Sequence, residues 1–247
     1  MQNLSPVLTA IKKIYRYYED WASGLELACH KGCAACCTRN VTMTQAEGNL
    51  ILLGLQEESR MKWLGKRLQI KGMIGRPRMT TNEWARNCIE GVEGDENETV
   101  QVLDPCPFLD HSQSCSIYRL RPFSCRCFGS SVDCSTTGLA EQPDILMEIN
   151  TVTLQVIEHL GQNSCWGNML DVLSALMRHD TAKADSDDRR QEEGTNNHLH
   201  RARPLPGFLV MPAQQAVVQT YLDGLYAIRV DNTPIGALLQ SPPTPRP

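Results

Sequence analysis

Four thiols within nine residues, Cys29-His30-Lys31-Gly32-Cys33-Ala34-Ala35-Cys36-Cys37, constrain this chain more than any other stretch. A second group follows at Cys106, Cys115, Cys125, Cys127 and Cys134, so ten of the eleven cysteines lie between residues 29 and 134. The best physical reason for such crowding is a shared metal site, on which thiolates from two distant segments converge. Disulfides are the alternative, but an odd count cannot pair completely within one chain. The first residues show no charged head followed by an apolar run of signal-peptide length. That predicts a cytoplasmic chain, and reducing cytosol disfavours disulfides.

Thiolates are soft donors, and all-sulfur sites select zinc or iron–sulfur centres over harder cations. The expected ligands are Cys29, Cys33, Cys36, Cys37, Cys106, Cys115, Cys125 and Cys127, with Cys134 left open. The expected cofactor is zinc or iron, the iron in an iron–sulfur cluster. Cys36 and Cys37 are adjacent, and neighbouring side chains reach one tetrahedral ion poorly. They therefore serve different metals, or only one of them ligates. Nine thiols in the two segments exceed one site's need of four, so there are two centres or several bystanders. Each segment alone is a poor four-ligand set, which predicts a composite centre drawing sulfurs from both.

Cys88 and Cys165 read as small buried hydrophobes. His30 and His111 read as neighbours of ligands rather than ligands. Lys31, Arg39, Arg119, Arg121 and Arg126 either offset the negative charge of the sulfurs or form ordinary surface charge.

The rest of the pattern predicts a mostly α fold with small irregular or β segments, its helices packed around the cysteine-rich metal-binding loop region. Ser5 and Pro6 open an amphipathic helix expected over 5–27, with Val7, Ile11, Ile14, Tyr18, Trp21 and Leu25 on one face. After an extended piece at 41–43, Thr44-Gln-Ala-Glu47 forms a capping box. The helix behind it carries Leu50, Leu53 and Leu55 towards Leu68, weakened by Gly48 and Gly54. Further helices are expected over 82–89, 143–160 and 166–176, with an acidic loop at 91–98 and a short strand at 100–103. The expected organisation is a metal-binding domain over 1–177 and a flexible charged linker over 178–206. A C-terminal helical segment over 207–240 and a disordered tail over 241–247 follow. His179, His198 and His200 fall in the linker as solvated side chains.

A net charge of −4 gives no global basic field, so no nucleic acid partner is expected. The apolar run Leu50-Ile51-Leu52-Leu53 is far too short to span a bilayer, which takes about 20 residues. No membrane partner is expected either, and any protein partner stays unknown.

Several motifs together resemble a known family. They are Cys29-x3-Cys33-x2-Cys36-Cys37, Thr44-x-x-Glu47, Cys106-Pro107-Phe108-Leu109, Cys115-Ser116-Ile117-Tyr118 and Arg121-Pro122-x-x-Cys125-Arg126. In this order they resemble the CxxCxxCC cysteine-cluster family, the YkgJ-like proteins described as zinc- or iron-chelating domains, over roughly residues 25 to 135. The resemblance implies a metal-chelating domain. A similar cluster in flagellin lysine N-methylases implies an iron–sulfur centre and protein modification. Cys127, Cys134, the charged linker and the C-terminal helix depart from the family pattern.

Two functions of different class follow. In one, the metal centre is the working part, in redox or protein-modification chemistry. In the other, closed zinc sites make a structural interaction module with no catalysis. Radical chemistry on S-adenosylmethionine has a similar cysteine spacing, but Ala35 stands where an aromatic is usual and no alternating βα pattern follows. No Ser/His/Asp set, phosphate-cradling glycine loop or carboxylate pair argues for hydrolysis.

Overall fold

The computed structural model of the chain describes residues 4–30, 32–92, 102–184 (backbone alone from 179) and 198–240. The expectations for Lys31, His179, most of the acidic loop, the start of strand 100–103, the middle of the linker and the tail lie outside those residues.

The first helix, α1 (Pro6–Ala22), starts where its capping chemistry says it should. Ser5 Oγ accepts the Leu8 N–H at 3.4 Å and Pro6 takes the first helical position, where a missing donor costs nothing. Ile11, Ile14 and Tyr18 are buried, while Val7, Trp21 and Leu25 pack at the margin of the same core. Fully burying each isoleucine contributes about 1.5–3 kcal/mol. The helix stops short of residue 27, and the chain turns through Gly24 towards the cysteines.

Strand β1 (Thr42–Thr44) leads directly into α2 (Gln45–Glu57) through the foreseen capping box. Thr44 Oγ1 accepts the Glu47 N–H at 3.2 Å, and Glu47 Oε2 accepts the Thr44 N–H at 2.8 Å. The expected run to Leu68 breaks at Ser59, which adopts a positive φ of 56°, and α3 (Met61–Leu68) starts afresh. Gly48 and Gly54 serve close packing. A Cβ on Gly48 would stand 2.7 Å from Leu176, and one on Gly54 would collide with Leu120. Next, α4 (Thr81–Glu90) is capped by Thr80 and closed by Gly91 in the left-handed region. Residues 102 and 103 are not in a strand.

Between 104 and 138 the chain is irregular apart from a 3-10 turn at Tyr118–Leu120 and two one-turn helices. These are α5 (Phe123–Arg126) and α6 (Cys134–Thr137). Helix α7 (Asp144–Leu160) buries Ile149, Val152 and Val156 as its periodicity requires. The helix expected over 166–176 starts late: Cys165–Asn168 form strand β2, and α8 (Met169–Ala184) begins after it. Strand β2 pairs antiparallel with β1, placing Trp166 opposite Thr44. The expected linker over 178–206 holds regular structure at both ends. Helix α8 runs past 178, and β3 (His200–Arg201) adds to the free edge of β2. His200 is no solvated linker residue; it bonds the Pro77 carbonyl at 2.9 Å and packs edge-on to Trp166.

The C-terminal region forms α9 (Gln215–Ala227), a two-residue-per-strand hairpin of β4 (Arg229–Val230) and β5 (Thr233–Pro234), and α10 (Ile235–Leu238). It is not a separate appendage. Val218, Tyr221, Leu222 and Leu225 share one apolar cluster with α1, α7 and Phe123. A second cluster joins β1, α2, α3 and α8 to Phe108 and Ile117. No helix among the described residues is long and apolar enough to cross a membrane.

The end of α7 holds the returning chain. Glu158 is buried and accepts the N–H groups of Asn82 and Arg203 at 2.9 and 2.8 Å. His159 Nδ1 accepts the Leu205 N–H at 2.9 Å, so that nitrogen carries no proton. Burial depresses this imidazole below its ordinary value of 6.5, against an opposing pull from the Leu239 carbonyl. The unfolded chain therefore binds the extra proton first as pH falls. The stabilisation is complete above about pH 6.5 and is lost on descending towards the folded-state value. Urea midpoints of the wild type should fall between about pH 7.5 and pH 5.5, and fall less in His159→Gln. Equal falls in the two proteins would show that His159 does not carry the effect.

Candidate metal centre

All eleven cysteines are free thiols. Backbone geometry brings the two cysteine segments together. The Cys106 N–H donates to the Cys37 carbonyl at 2.8 Å, Arg39 N–H to the Asp104 carbonyl at 3.2 Å, and Thr38 bridges Pro105. Cys115 is brought back towards Cys106 by a tight reversal. Asp110 Oδ1 accepts the Ser112 and Ser114 N–H groups, the Asp110 N–H bonds Ser114 O, and Leu109 bridges Cys115. The aromatic and aliphatic residues between the cysteines set their depth. Phe108, Ile117 and Phe123 are buried, the first two in the α2–α8 cluster and the third in the α1–α7 cluster. The cysteine segment thus straddles both cores.

Glu47 is the joint between them. Its buried carboxylate accepts Tyr15 Oη and the Phe123 N–H, both at 2.8 Å, on Oε1. Oε2 takes the Thr44 N–H and hydroxyl at 2.8 and 3.0 Å. The capping-box glutamate therefore also fixes the start of α5, the turn that presents Cys125.

The thiols influence one another in overlapping groups, with Cys36 common to both. Cys37 is held below the ordinary thiol value first by the Cys36 thiol, which donates to it, while burial and the charges of Cys125, Cys106 and Cys115 act the other way. Burial pushes Cys125 well up, with Cys106 and Cys115 adding to it and Arg121 opposing. Cys106 is pushed up to about 11 by burial, against the Phe108 N–H and the Arg39 charge. Cys115 is raised by burial, against the Ile117 N–H and Arg121. Charges screened over about 10 Å couple this way only when close. Cys29, by contrast, is raised by burial and senses Cys33, Cys36 and Cys134. The adjacent pair stays linked, the Cys36 thiol hydrogen-bonding Cys37 and lying, like Cys115 and Cys125, under the influence of Arg121.

No family model, curated protein or solved structure matches this chain. The resemblance to the cysteine-cluster family therefore rests on its motifs alone.

Two assignments change. Cys127 leaves the candidate ligand set, because it is buried in the apolar cluster and its thiol donates to the Ser124 carbonyl at 3.6 Å. Burial pushes that thiol up to about 12. Cys88, expected inside, is exposed on α4. Cys165 is half-buried in β2, with its N–H on Gln45 Oε1. His30 bonds the Ala28 carbonyl and His111 is exposed at the tip of the reversal.

The arginines separate equally clearly. Arg39 is buried and donates to the carbonyls of Pro105, Ile70 and Lys71 at 3.2, 3.1 and 3.1 Å. It has no carboxylate partner among the described residues and acts on Cys106. Arg121 stacks on Tyr118, 3.6 Å from the ring centre, and acts on Cys36, Cys115 and Cys125. Arg126 turns away, to Glu19, the carbonyls of Arg119 and Arg121, and the face of Tyr15. Arg119 is exposed, with its carbonyl taken by Arg126. Asn168 escaped sequence reading altogether. It caps α8 through the Leu170 N–H and holds the carbonyls of Arg39 and Gly75 at 2.6 and 2.8 Å, fixing the exit of the cysteine loop.

Among the described residues, no three Cys, His, Asp or Glu side chains converge closely enough, as they stand, to hold one ion. The donor set nevertheless fits a soft metal chemically. It offers four thiols, each swinging on a single rotor, backbone N–H groups that favour the thiolate of Cys106 and Cys115, and a buried cation to offset negative charge.

Proposed function

We propose that this chain is a metal-chelating protein whose centre is composite, formed by Cys37 from the first segment and Cys106, Cys115 and Cys125 from the second. One observation carries the reading. The Cys106 N–H bonds the Cys37 carbonyl, so two segments far apart in sequence are joined backbone to backbone where their thiols interact. Four sulfurs select zinc or an iron–sulfur centre. Arg39 and Arg121 supply the positive charge that a tetrathiolate needs in a poorly solvated site. Burying a guanidinium without a carboxylate partner is costly, and a thiolate centre beside it gives that burial a purpose. The resemblance to zinc- or iron-chelating domains points the same way. What the bound metal supplies is either iron–sulfur electron transfer or a closed structural zinc.

Anaerobically purified protein should contain zinc or iron, and broad absorption near about 400 nm would assign iron–sulfur. Cys125→Ser should lose that metal while Cys165→Ser keeps it. Because metal uptake displaces thiol protons, binding to the metal-free protein should acidify a weakly buffered solution. Absence of bound metal from the wild type, with none taken up on reconstitution, would overturn the reading.

A further inference from the structure

We propose that the face formed by residues 60–78 and Leu103 binds an anionic membrane surface. Its cations lie among the lipid headgroups, and Ile70, Met73 and Leu103 reach below them. This binding does not depend on the metal centre being filled.

Charge sets the stretch apart. Between Arg60 and Arg78 the chain carries seven lysines and arginines and no aspartate or glutamate, in a protein whose net charge is −4. Two of the cations are paired, Arg60 with Glu58 and Arg76 with Asp171. Lys62, Lys66, Arg67, Lys71 and Arg78 have no carboxylate partner among the described residues. Helix α3 buries Leu64 and leaves Lys62 and Lys66 exposed one turn apart, with Ile70 at the same four-residue step just past its end.

The loop that follows is anchored from beneath. Arg39 donates to the carbonyls of Ile70 and Lys71, both at 3.1 Å, and a Cβ on Gly72 would collide with its guanidinium. The Met73 N–H donates to Asp104 Oδ2 at 2.8 Å, which brings the loop beside Leu103 and occupies that carboxylate. Val102, on the other side of Leu103, is pinned to Asn40 by bonds of 2.8 and 3.2 Å. With the backbone tied inward, the apolar side chains stay in water: Ile70 is 41%, Met73 63% and Leu103 80% exposed.

Positive charge around a small apolar tip matches a lipid surface better than it matches other polyanions. Trp63, the one aromatic between residues 60 and 78, is already engaged by Phe108 and by the guanidinium groups of Arg60 and Arg67, so it offers no free face for stacking bases. Lysine is depleted in protein–protein interfaces, yet Lys62, Lys66 and Lys71 all stand exposed here. At an anionic leaflet each cation adds attraction and each apolar tip gains by leaving water. Surface binding needs no spanning segment, and the described helices contain none.

Sedimentation of the full-length protein as purified, with vesicles of phosphatidylcholine alone or with about 30% phosphatidylserine, tests this directly. The protein should bind the anionic vesicles and not the neutral ones, and should lose most of that binding between about 0.05 and 0.5 M salt as charge is screened. Lys66→Glu with Lys71→Glu should lower the partition coefficient at least about tenfold. Met73→Ser with Leu103→Ser should lower it about tenfold while every charge is kept. Lys12→Glu, at an exposed position on α1, should change it less than about twofold. Lys62→Glu with Lys66→Glu, on α3, replaces any loop variant whose thermal melting shows that it has not folded. Equal binding to both kinds of vesicle, binding unchanged by the loop variants, or an equal loss in Lys12→Glu overturns the proposal. So does a lack of binding to anionic vesicles. In that case a single-stranded oligonucleotide or polyglutamate, bound by the wild type but not by Lys66→Glu with Lys71→Glu, would assign the face to nucleic acid or to an acidic protein instead.

Discussion

Glu47→Gln is expected to lower the stability of the chain by about 3 kcal/mol, summed over the charge-assisted bonds it weakens. The two carboxylate oxygens receive four donors. The Tyr15 and Thr44 hydroxyls can rotate to accept, but the N–H groups of Phe123 and Thr44 cannot. Whichever way the new amide is turned, its NH2 faces one of those fixed donors and leaves it buried without a partner. For a chain of this size the loss corresponds to a fall in Tm of roughly 6–12 °C. Tyr15→Phe removes one donor and keeps the charge, so it should cost only about 1 kcal/mol. Urea unfolding of metal-free protein measures both. A Glu47→Gln loss no larger than that of Tyr15→Phe would show that the carboxylate is not the joint described.

Phe108→Ala should cost about 3–5 kcal/mol, the range for deleting a fully buried aromatic ring. The ring is completely buried and lies 5.9 Å from the ring centre of Trp63. Its backbone matters to both neighbouring cysteines, since Leu109 N–H bonds Cys106 O and Ser116 N–H bonds Phe108 O. Loss of the ring should therefore weaken metal uptake as well, although no ligand has been touched. Phe108→Leu fills most of the volume and should recover most of both losses. A stability change within about 0.5 kcal/mol for Phe108→Ala, the level of an ordinary surface change, would contradict the anchoring role.

Local signals were legible in the chain itself. Ser5 with Pro6, and Thr44 with Glu47, marked two helix starts because capping bonds reach only three residues along the chain. The spacing of Ile11, Ile14 and Tyr18, and of Ile149, Val152 and Val156, identified core faces because helical periodicity fixes direction without any partner. The crowding of ten cysteines into 29–134, and the strain of using Cys36 and Cys37 on one ion, needed only composition and covalent geometry.

What tertiary structure decided was everything that depends on a distant partner. Trp166 shares helical spacing with Met169, Leu170 and Leu173, which predicts that it opens their helix, but pairing with β1 made it a strand. Residues 200 and 201 are polar and charged, yet the free edge of β2 gave their backbone a ladder. Cys127 looked no different from Cys125 in sequence. The two-residue step across the end of α5 sent one thiol into the apolar cluster and the other towards Cys106 and Cys115. Arg39 and Arg126 both stand near cysteines in sequence, but only Arg39 faces one, because Glu19 and Tyr15 draw Arg126 away. Sequence proximity places a side chain within reach of a site; which way it points is set by the partners that packing supplies.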